Sequence, residues 1–286
     1  MQVLVTGGAG YIGSHIVRAL HEKGYTIDIL DRQYTLNTPV IRRMVRDAYR
    51  SDIREYTGIA AHYDAVIHCA ALISVEESMR MPRTYYSVNT TGTLSLLQEL
   101  KYDHFIFAST GGAFDPISPY AKSKIIAEEA VRQIAKNYTI FRFFNVAGND
   151  GELKQPYPAS HIIRIAAEVA AGKRDKMMIF GNDYNTPDGT CIRDYVHVVD
   201  LAKAIVRSIH LPANNRYECI GSGRGYSNLE VINTMKEATS VDFPVEFGPR
   251  RSGDPAKLLV DTVSKYVKID HDLKDMCRSA YTMELK

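Results

Sequence analysis

A doubly wound, parallel α/β sheet, joined to a smaller discontinuous α/β domain, is the fold class that the sequence predicts. Three observations predict it. Apolar strand-like runs alternate with helical patterns through the amino-terminal half, as in a parallel sheet covered by helices on both faces. The first run ends in a glycine turn that passes straight into a helix. The second ends in a carboxylate, at the carboxyl end of a strand, where such sheets meet their ligands.

The chain has 286 residues, of which 45% are hydrophobic, and a net charge of +2. That length suits one large domain or two small ones with an ordinary core. The weak net charge argues against a dedicated nucleic-acid binder. One basic cluster, Arg42, Arg43, Arg46 and Arg50, is expected on a solvated helix face. No apolar run reaches the ~18 residues of a membrane span. Gln2-Val3-Leu4-Val5 opens directly as a strand, so no signal peptide is expected. Cys69, Cys191, Cys219 and Cys277 form no Cys-x-x-Cys, which suits a reduced, cytoplasmic protein. The histidines show no metal-ligand spacing, and no metal is expected.

Taken in order, residues 2–5 run into Thr6-Gly7-Gly8-Ala9-Gly10-Tyr11-Ile12-Gly13, and a helix follows with Ile12, Ile16, Val17 and Leu20 on one face and Gly24 as its stop. Glycines at 7, 10 and 13, and at 8, 10 and 13, let the backbone turn sharply and approach a pyrophosphate at the helix N-terminus, where N–H groups and the dipole attract anions. The strand Thr26 to Leu30 ends in Asp31, about 20 residues past the glycines, where a carboxylate can bind both ribose hydroxyls. A carboxylate would repel a 2′-phosphate, which favours NAD over NADP, although the adjacent Arg32 could bind such a phosphate. Ser51-Asp52-Ile53-Arg54 comes next, then a buried strand, Asp64 to Ala71, whose small end residues Ala70 and Ala71 would let a cofactor lie against the backbone.

A helical stretch carries Tyr85, Val88 and Asn89, and His104 to Ala108 is a further strand, ending in Ser109-Thr110. Then Ser118-Pro119-Tyr120-Ala121-Lys122-Ser123-Lys124 opens a helix. Tyr120 and Lys124 fall on one helix face. An ammonium beside a phenol favours the phenolate and should lower the tyrosine pKa, making Tyr120 able to exchange protons near neutral pH. Thr110 can hydrogen-bond beside it.

Further on, Asp183 to Gly189 is a polar loop, and Arg193 stands where the chain dives back into the core. Arg193 and Arg251 suit a diphosphate clamp, because Arg forms bidentate charge-assisted bonds to phosphate. An apolar helix is expected within 156–178, beginning at Pro156 and Pro158 and ended by Gly172, and another over 198–210. Arg216 to Gly221 reads as a strand returning to the large sheet. Ser227-Asn228-Leu229-Glu230 is a capping box that starts a helix running to about Glu237.

These motifs together resemble the extended short-chain dehydrogenase/reductase family and, within it, the UDP-hexose 4-epimerases. The resemblance rests on Thr6 to His15, Val66 to Ala71, Tyr85 to Thr93, Pro119 to Lys124, Arg142 to Asn145 with Gly148, Gly172 to Asp175, Ile179 to Ala202, and Pro249 to Asp254. It covers nearly the whole chain. It implies a Rossmann-type domain, 1–148 plus 189–221, that retains NAD, and a UDP-sugar domain, 149–188 plus 222–286. The implied cofactor residues are Gly7, Gly10, Tyr11, Ile12, Asp31, Asp52, Ile53, Ala70, Ala71, Asn89, Tyr120, Lys124 and Phe144. The implied UDP-sugar residues are Asn145, Phe180, Arg193, Tyr195, Arg251 and Asp254. The implied activity is interconversion of UDP-glucose and UDP-galactose, or of their N-acetyl forms. Tyr120 would exchange the proton of the 4-hydroxyl, Thr110 would bond the 4-oxygen, and a transient 4-keto sugar would rotate before it is reduced again. A homodimer is implied as well. Another nucleotide-sugar epimerase, of uronic or pentose sugars, and a non-catalytic binding homologue are the competing expectations.

Against the family pattern, the segment between Thr110 and Tyr120 is short, and the family's tyrosine there stands near Phe114. A family lysine reads Ile73, which removes one cofactor contact, and an asparagine expected near the diphosphate reads His161. Leu258 falls at the position that gates bulky N-acetyl sugars.

Overall fold

In the computed structural model, which describes residues 1–33, 37–55, 57–155, 161–210, 215–251 and 254–286, the amino-terminal apolar runs become β1 (Gln2–Thr6), β2 (Thr26–Asp31), β3 (Asp47–Arg50), β4 (His62–His68), β5 (Lys101–Thr110) and β6 (Tyr138–Phe143). The later strands are β7 (Asn145–Ala147), β8 (Met177–Phe180), β9 (Ile192–His197), β10 (Arg216–Ile220), β11 (Gly225–Ser227), β12 (Val245–Gly248) and β13 (Lys257–Leu258). They distribute over two compact units, Met1–Phe143 with Ala202–Glu218, and Phe144–Leu201 with Cys219–Lys286.

The first unit is built on a sheet of order β10-β6-β5-β4-β1-β2-β3. Its pairs from β6 to β3 are all parallel. Parallel strands are covered on both faces, so they read as continuous apolar runs rather than alternating ones. Val3, Leu4 and Val5 in β1, and Val66 and Ile67 in β4, accordingly have no exposed surface. After β3 the chain crosses to the other side of β1 to lay down β4. That reversal is the switch point at which such sheets bind ligands. Helices Tyr11–Glu22, Gly92–Glu99 and Pro119–Ile134 belong to this unit, and Leu96, Leu97, Ala127 and Val131 pack against Val66, Phe105 and Phe107.

The second unit has a four-stranded sheet, β11-β9-β13 with β7 also on β9, and a two-stranded one, β12-β8. Its core lies among helices Ile162–Ala170, Asn228–Thr239 and Leu273–Glu284, around Ile163, Ala166, Val231, Met235, Met276 and Cys277. The capping box at Ser227 and Glu230 is formed. The apolar helix expected within 156–178 is Ile162–Ala170, and its expected start at Pro156 and Pro158 lies outside the described residues.

Two expectations are corrected. The four arginines do not share a helix. The helix there is only Thr38–Ile41, and β3 takes Asp47–Arg50 into the sheet. Arg46 turns back to the buried Asp28, with Nε at 3.0 Å from its carboxylate, and Tyr63 donates to the same group at 2.7 Å. The boundary between the units also moves. Residues 144–148 and 189–201 sit with the second unit, because β7 and β9 pair with each other and β9 pairs with β11 and β13. No helix among the described residues is long and apolar enough to cross a membrane.

Candidate active site

At the switch point, β1 ends in Thr6 and the glycine turn begins. Gly7 has φ +69°, and a Cβ there would lie 2.8 Å from the backbone N of Ala70. A Cβ on Gly13 would lie 2.1 Å from the carbonyl oxygen of Gly7. Only glycine allows the turn, the helix and the end of β4 to stack this closely. Gly10 caps the Tyr11–Glu22 helix with no side-chain hydrogen bond, and the first turn holds no acidic residue. The helix's own cap and first turn therefore place no negative charge against the positive end of its dipole.

Asp31, at the end of β2, is tied to this turn. Its carboxylate accepts from Ala9 N at 3.1 Å and from Gln33 N at 3.0 Å, and burial raises its pKa despite those bonds. Arg32 beside it is exposed. Asp52 is bound fork-to-fork by Arg54, at 2.9 and 2.8 Å, which holds its carboxyl below the usual range. Ile53 is buried, in the space where a Cβ on Gly92 would stand.

Ala70 N reaches back to Thr6 Oγ1, and Leu72 is gripped by the buried Asn89, whose Oδ1 accepts from Leu72 N at 2.8 Å and whose Nδ2 donates to Leu72 O and to Ser123 Oγ, each at 3.0 Å. Asn89 lies in a π-helical turn, Ser87–Thr91, a local insertion often found at functional sites. Its amide is thus engaged in fastening the end of β4 to the Tyr120 helix. Ile73 is exposed.

Thr110 ends β5, and Ser118 caps the helix Pro119–Ile134 through Ala121 N at 3.2 Å. This brings the Tyr120 hydroxyl beside Thr110, whose side chain counters part of the effect of burial on it. The expectation that the nearby Lys124 ammonium lowers the Tyr120 pKa is corrected, since burial leaves it raised. The Lys124 ammonium is buried over the face of Phe107, 4.1 Å from the ring centre, and burial takes its own pKa down to about 8. In this unit the Tyr120 pKa rises on balance while that of Lys124 falls.

Residues not singled out in the sequence surround them. His68 is buried between Thr6 Oγ1 at 2.6 Å and Thr93 Oγ1 at 2.9 Å, and burial holds it neutral, well below its ordinary value. Glu128, one helical turn past Lys124, is bound by Ser109 and Arg142. The four-residue spacing of Tyr120, Lys124 and Glu128 was the available signal.

The second unit gathers all the expected sugar-nucleotide residues and Phe144. Asn145 on β7 stands opposite Tyr195 on β9 in register, and the buried Tyr195 hydroxyl has no hydrogen-bond partner among the described residues. Burial pushes the Tyr195 phenol well up. Arg193, two residues earlier on β9, is nine-tenths buried, and its Nη2 lies 3.2 Å from Asp254 Oδ1. Leu258 pairs with Arg193 in register. The Arg251 guanidinium lies 4.1 Å from the ring centre of Phe180. Next to it Arg250 latches the preceding loop, with Nε 2.7 Å from Asp183 Oδ1 and its guanidinium over Tyr184. Phe144 N donates to Ile220 O at 3.0 Å. His161 is the N-cap of Ile162–Ala170 and makes no side-chain capping bond.

With this geometry in hand, comparison with known proteins is specific. The profile of the NAD dependent epimerase/dehydratase family matches residues 3–219. A UDP-glucose 4-epimerase of Lacticaseibacillus casei is 36% identical over 294 aligned residues, covering 92% of this chain and 88% of the relative. One of Rhizobium leguminosarum bv. trifolii is 35% identical over 325, covering 99% and 97%. Among solved structures, a UDP-glucose 4-epimerase from Bifidobacterium longum in complex with NAD+ and UDP aligns with a TM-score of 0.90 at 30% identity, covering 99% of this chain and 98% of the other. One from Stenotrophomonas maltophila with bound NAD and formylated UDP-arabinopyranose gives 0.89 at 31%, with the same coverage.

Proposed function

This chain belongs to the NAD dependent epimerase/dehydratase family, and from that premise we propose that it is an NAD-dependent UDP-glucose 4-epimerase, an isomerase acting on UDP-glucose, UDP-galactose and their N-acetyl forms. The observation that carries the reading is Tyr120 beside Thr110 with the buried Lys124 one turn on, behind a glycine turn that only glycine permits.

The first unit fits the dinucleotide. The uncapped helix end at Gly10 suits a pyrophosphate, Asp31 suits ribose hydroxyls, and Gly7, Tyr11, Ile12, Ala70 and Ala71 offer backbone and small or flat surfaces. Asp52, Ile53 and Asn89 complete the set in this unit, with Arg32 at its rim, whereas Phe144 belongs to the second unit. Bound NAD supplies a hydride acceptor for C4 of the sugar and returns the hydride to it.

The chain's own residues handle the proton and the grip. Tyr120 Oη takes the proton of the 4-hydroxyl as C4 is oxidised and gives it back as C4 is reduced. Thr110 donates to Tyr120 and favours its phenolate. Lys124 holds its ammonium in the same site and supports the developing negative charge. From the second unit, Arg193 and Arg251 grip the diphosphate, Phe180 and Tyr195 offer flat surfaces, and Asn145 and Asp254 orient the groups around them. A firm hold on the nucleotide with few bonds to the hexose lets the 4-keto sugar turn over and accept the hydride on its other face.

The Ile126 and Ile134 side chains exposed on the Tyr120 helix support a homodimer, and four free cysteines support a cytoplasmic setting. The deciding experiment incubates purified protein with UDP-galactose and follows UDP-glucose by NMR. No interconversion of either hexose pair overturns the proposal.

A further inference from the structure

Tyr120, Lys124 and Glu128 succeed one another along one face of the helix Pro119–Ile134. The first two have roles in the chemistry above, whereas Glu128 does not, yet it is fully buried. Its carboxylate accepts from Ser109 Oγ, from Arg142 Nε at 3.0 Å and from Arg142 Nη2 at 2.8 Å. The Arg142 guanidinium is itself held between two rings, 4.6 Å from the centre of Phe114 and 4.4 Å from that of Tyr217. Ser109 and Phe114 stand on either side of Thr110, the first in β5 and the second at the end of the 3-10 turn Gly111–Phe114. One carboxylate therefore secures both flanks of Thr110, the residue beside Tyr120. Buried ion pairs contribute little net stability compared with apolar packing of the same volume. Stability alone does not account for one at this place.

We propose that Glu128 is a positioning residue for the acid–base pair, holding Thr110 against Tyr120 through Ser109 and through the Arg142–Phe114 contact, and stabilising the Lys124 ammonium. This rests on the roles given above to Thr110, Tyr120 and Lys124.

The surroundings of Lys124 make the electrostatic part explicit. Tyr120 and Glu128 face it from its own helix, Cys69 and His68 from the end of β4, and the Phe107 ring from β5. His68 is held neutral and the Cys69 thiol is pushed up to about 12, so neither carries charge near neutral pH. Glu128 is the anion among these groups, and it opposes the burial that draws Lys124 down.

Three variants of the cofactor-loaded protein test the proposal. Glu128→Gln keeps the shape and the acceptor oxygen but removes the charge. Arg142 then lacks its counter-charge, which acts on Lys124 in the same direction. The alkaline limb of the kcat profile is expected to move to lower pH by about one unit. Glu128→Asp restores the charge and is expected to return the limb while kcat stays low. Ser109→Ala cuts the tie without changing charge, and is expected to lower kcat about tenfold with KM unchanged and the limb in place. A substrate-free reading uses the pH at which the protein loses the fluorescence of bound NADH, which should shift in Glu128→Gln alone. That shift, found in a protein with no epimerase activity, would overturn the proposed function and leave the electrostatic part standing. A Glu128→Gln limb coincident with that of the unaltered protein overturns the electrostatic part. Ser109→Ala with unaltered kcat overturns the positioning part, and that variant decides the matter even if Glu128→Gln fails to fold.

Discussion

Arg193→Gln separates gripping the substrate from holding the fold. In the free protein the guanidinium makes one bond to its neighbour's carbonyl, Ile192 O, at 2.9 Å, and one ion pair to Asp254. Loss of the first costs about 1 kcal/mol. The second involves a carboxylate whose side chain is 40% exposed, so after screening it contributes roughly 0.5 kcal/mol. Together they predict a fall in Tm of only about 3–6 °C. Against a diphosphate the same group would make charge-assisted bonds that no glutamine can replace, worth about 2–3 kcal/mol, or roughly 30- to 150-fold in Kd. Titration calorimetry with UDP and with uridine reads the difference directly. UDP should lose that affinity and uridine should not, and KM for the UDP-sugar should rise while kcat holds. Equal losses for both ligands, or none for UDP, would refute the assignment of Arg193 to the diphosphate.

Tyr120→Phe should lower kcat by about 10²- to 10⁴-fold, as expected for loss of a general base, with UDP affinity unchanged in the same titration. Gly13→Ala brings a Cβ to within 2.1 Å of backbone that cannot yield, so it should destabilise the first unit by several kcal/mol and release cofactor; a denatured sample still showing bound NAD(H), with the parental Tm, would contradict the packing. The Lys124 pKa falls from an ordinary 10.5 to about 8. Its ammonium is lost as pH rises through about 8, and kcat should fall there. Its contribution to stability runs the other way. The unfolded chain binds the extra proton between those two values, so this group makes folding more favourable as pH rises across that window. Thermal melts of Lys124→Met against the unaltered chain over that range read the sign.

The strands and the glycine turn were legible because each depends on local pattern: a continuous apolar run for a two-faced sheet, and glycine wherever backbone meets backbone. Tyr120 and Lys124 were legible by spacing. The pKa balance between them was not, because Lys124 is governed by burial over Phe107, far away in sequence, which spacing does not encode. The domain boundary was misplaced for a related reason. Whether β9 joins the large sheet or pairs with β7, β11 and β13 is settled by long-range pairing, and its residues suit either. Asn89 was picked out as a cofactor residue from resemblance, and its bonds to Leu72 and Ser123 become visible only once the π-helical turn is in place.

The short turn after β5 has one more consequence, for the bonding capacity left at its first residue. Thr110 Oγ1 accepts from Gly112 N at 3.2 Å. A threonine hydroxyl has one proton and two acceptor sites, and this N–H takes one of the two. Thr110 keeps its proton and a single lone pair for whatever else stands beside it. The clipped segment, which shortens the chain beside the site, thereby narrows what that hydroxyl can still accept.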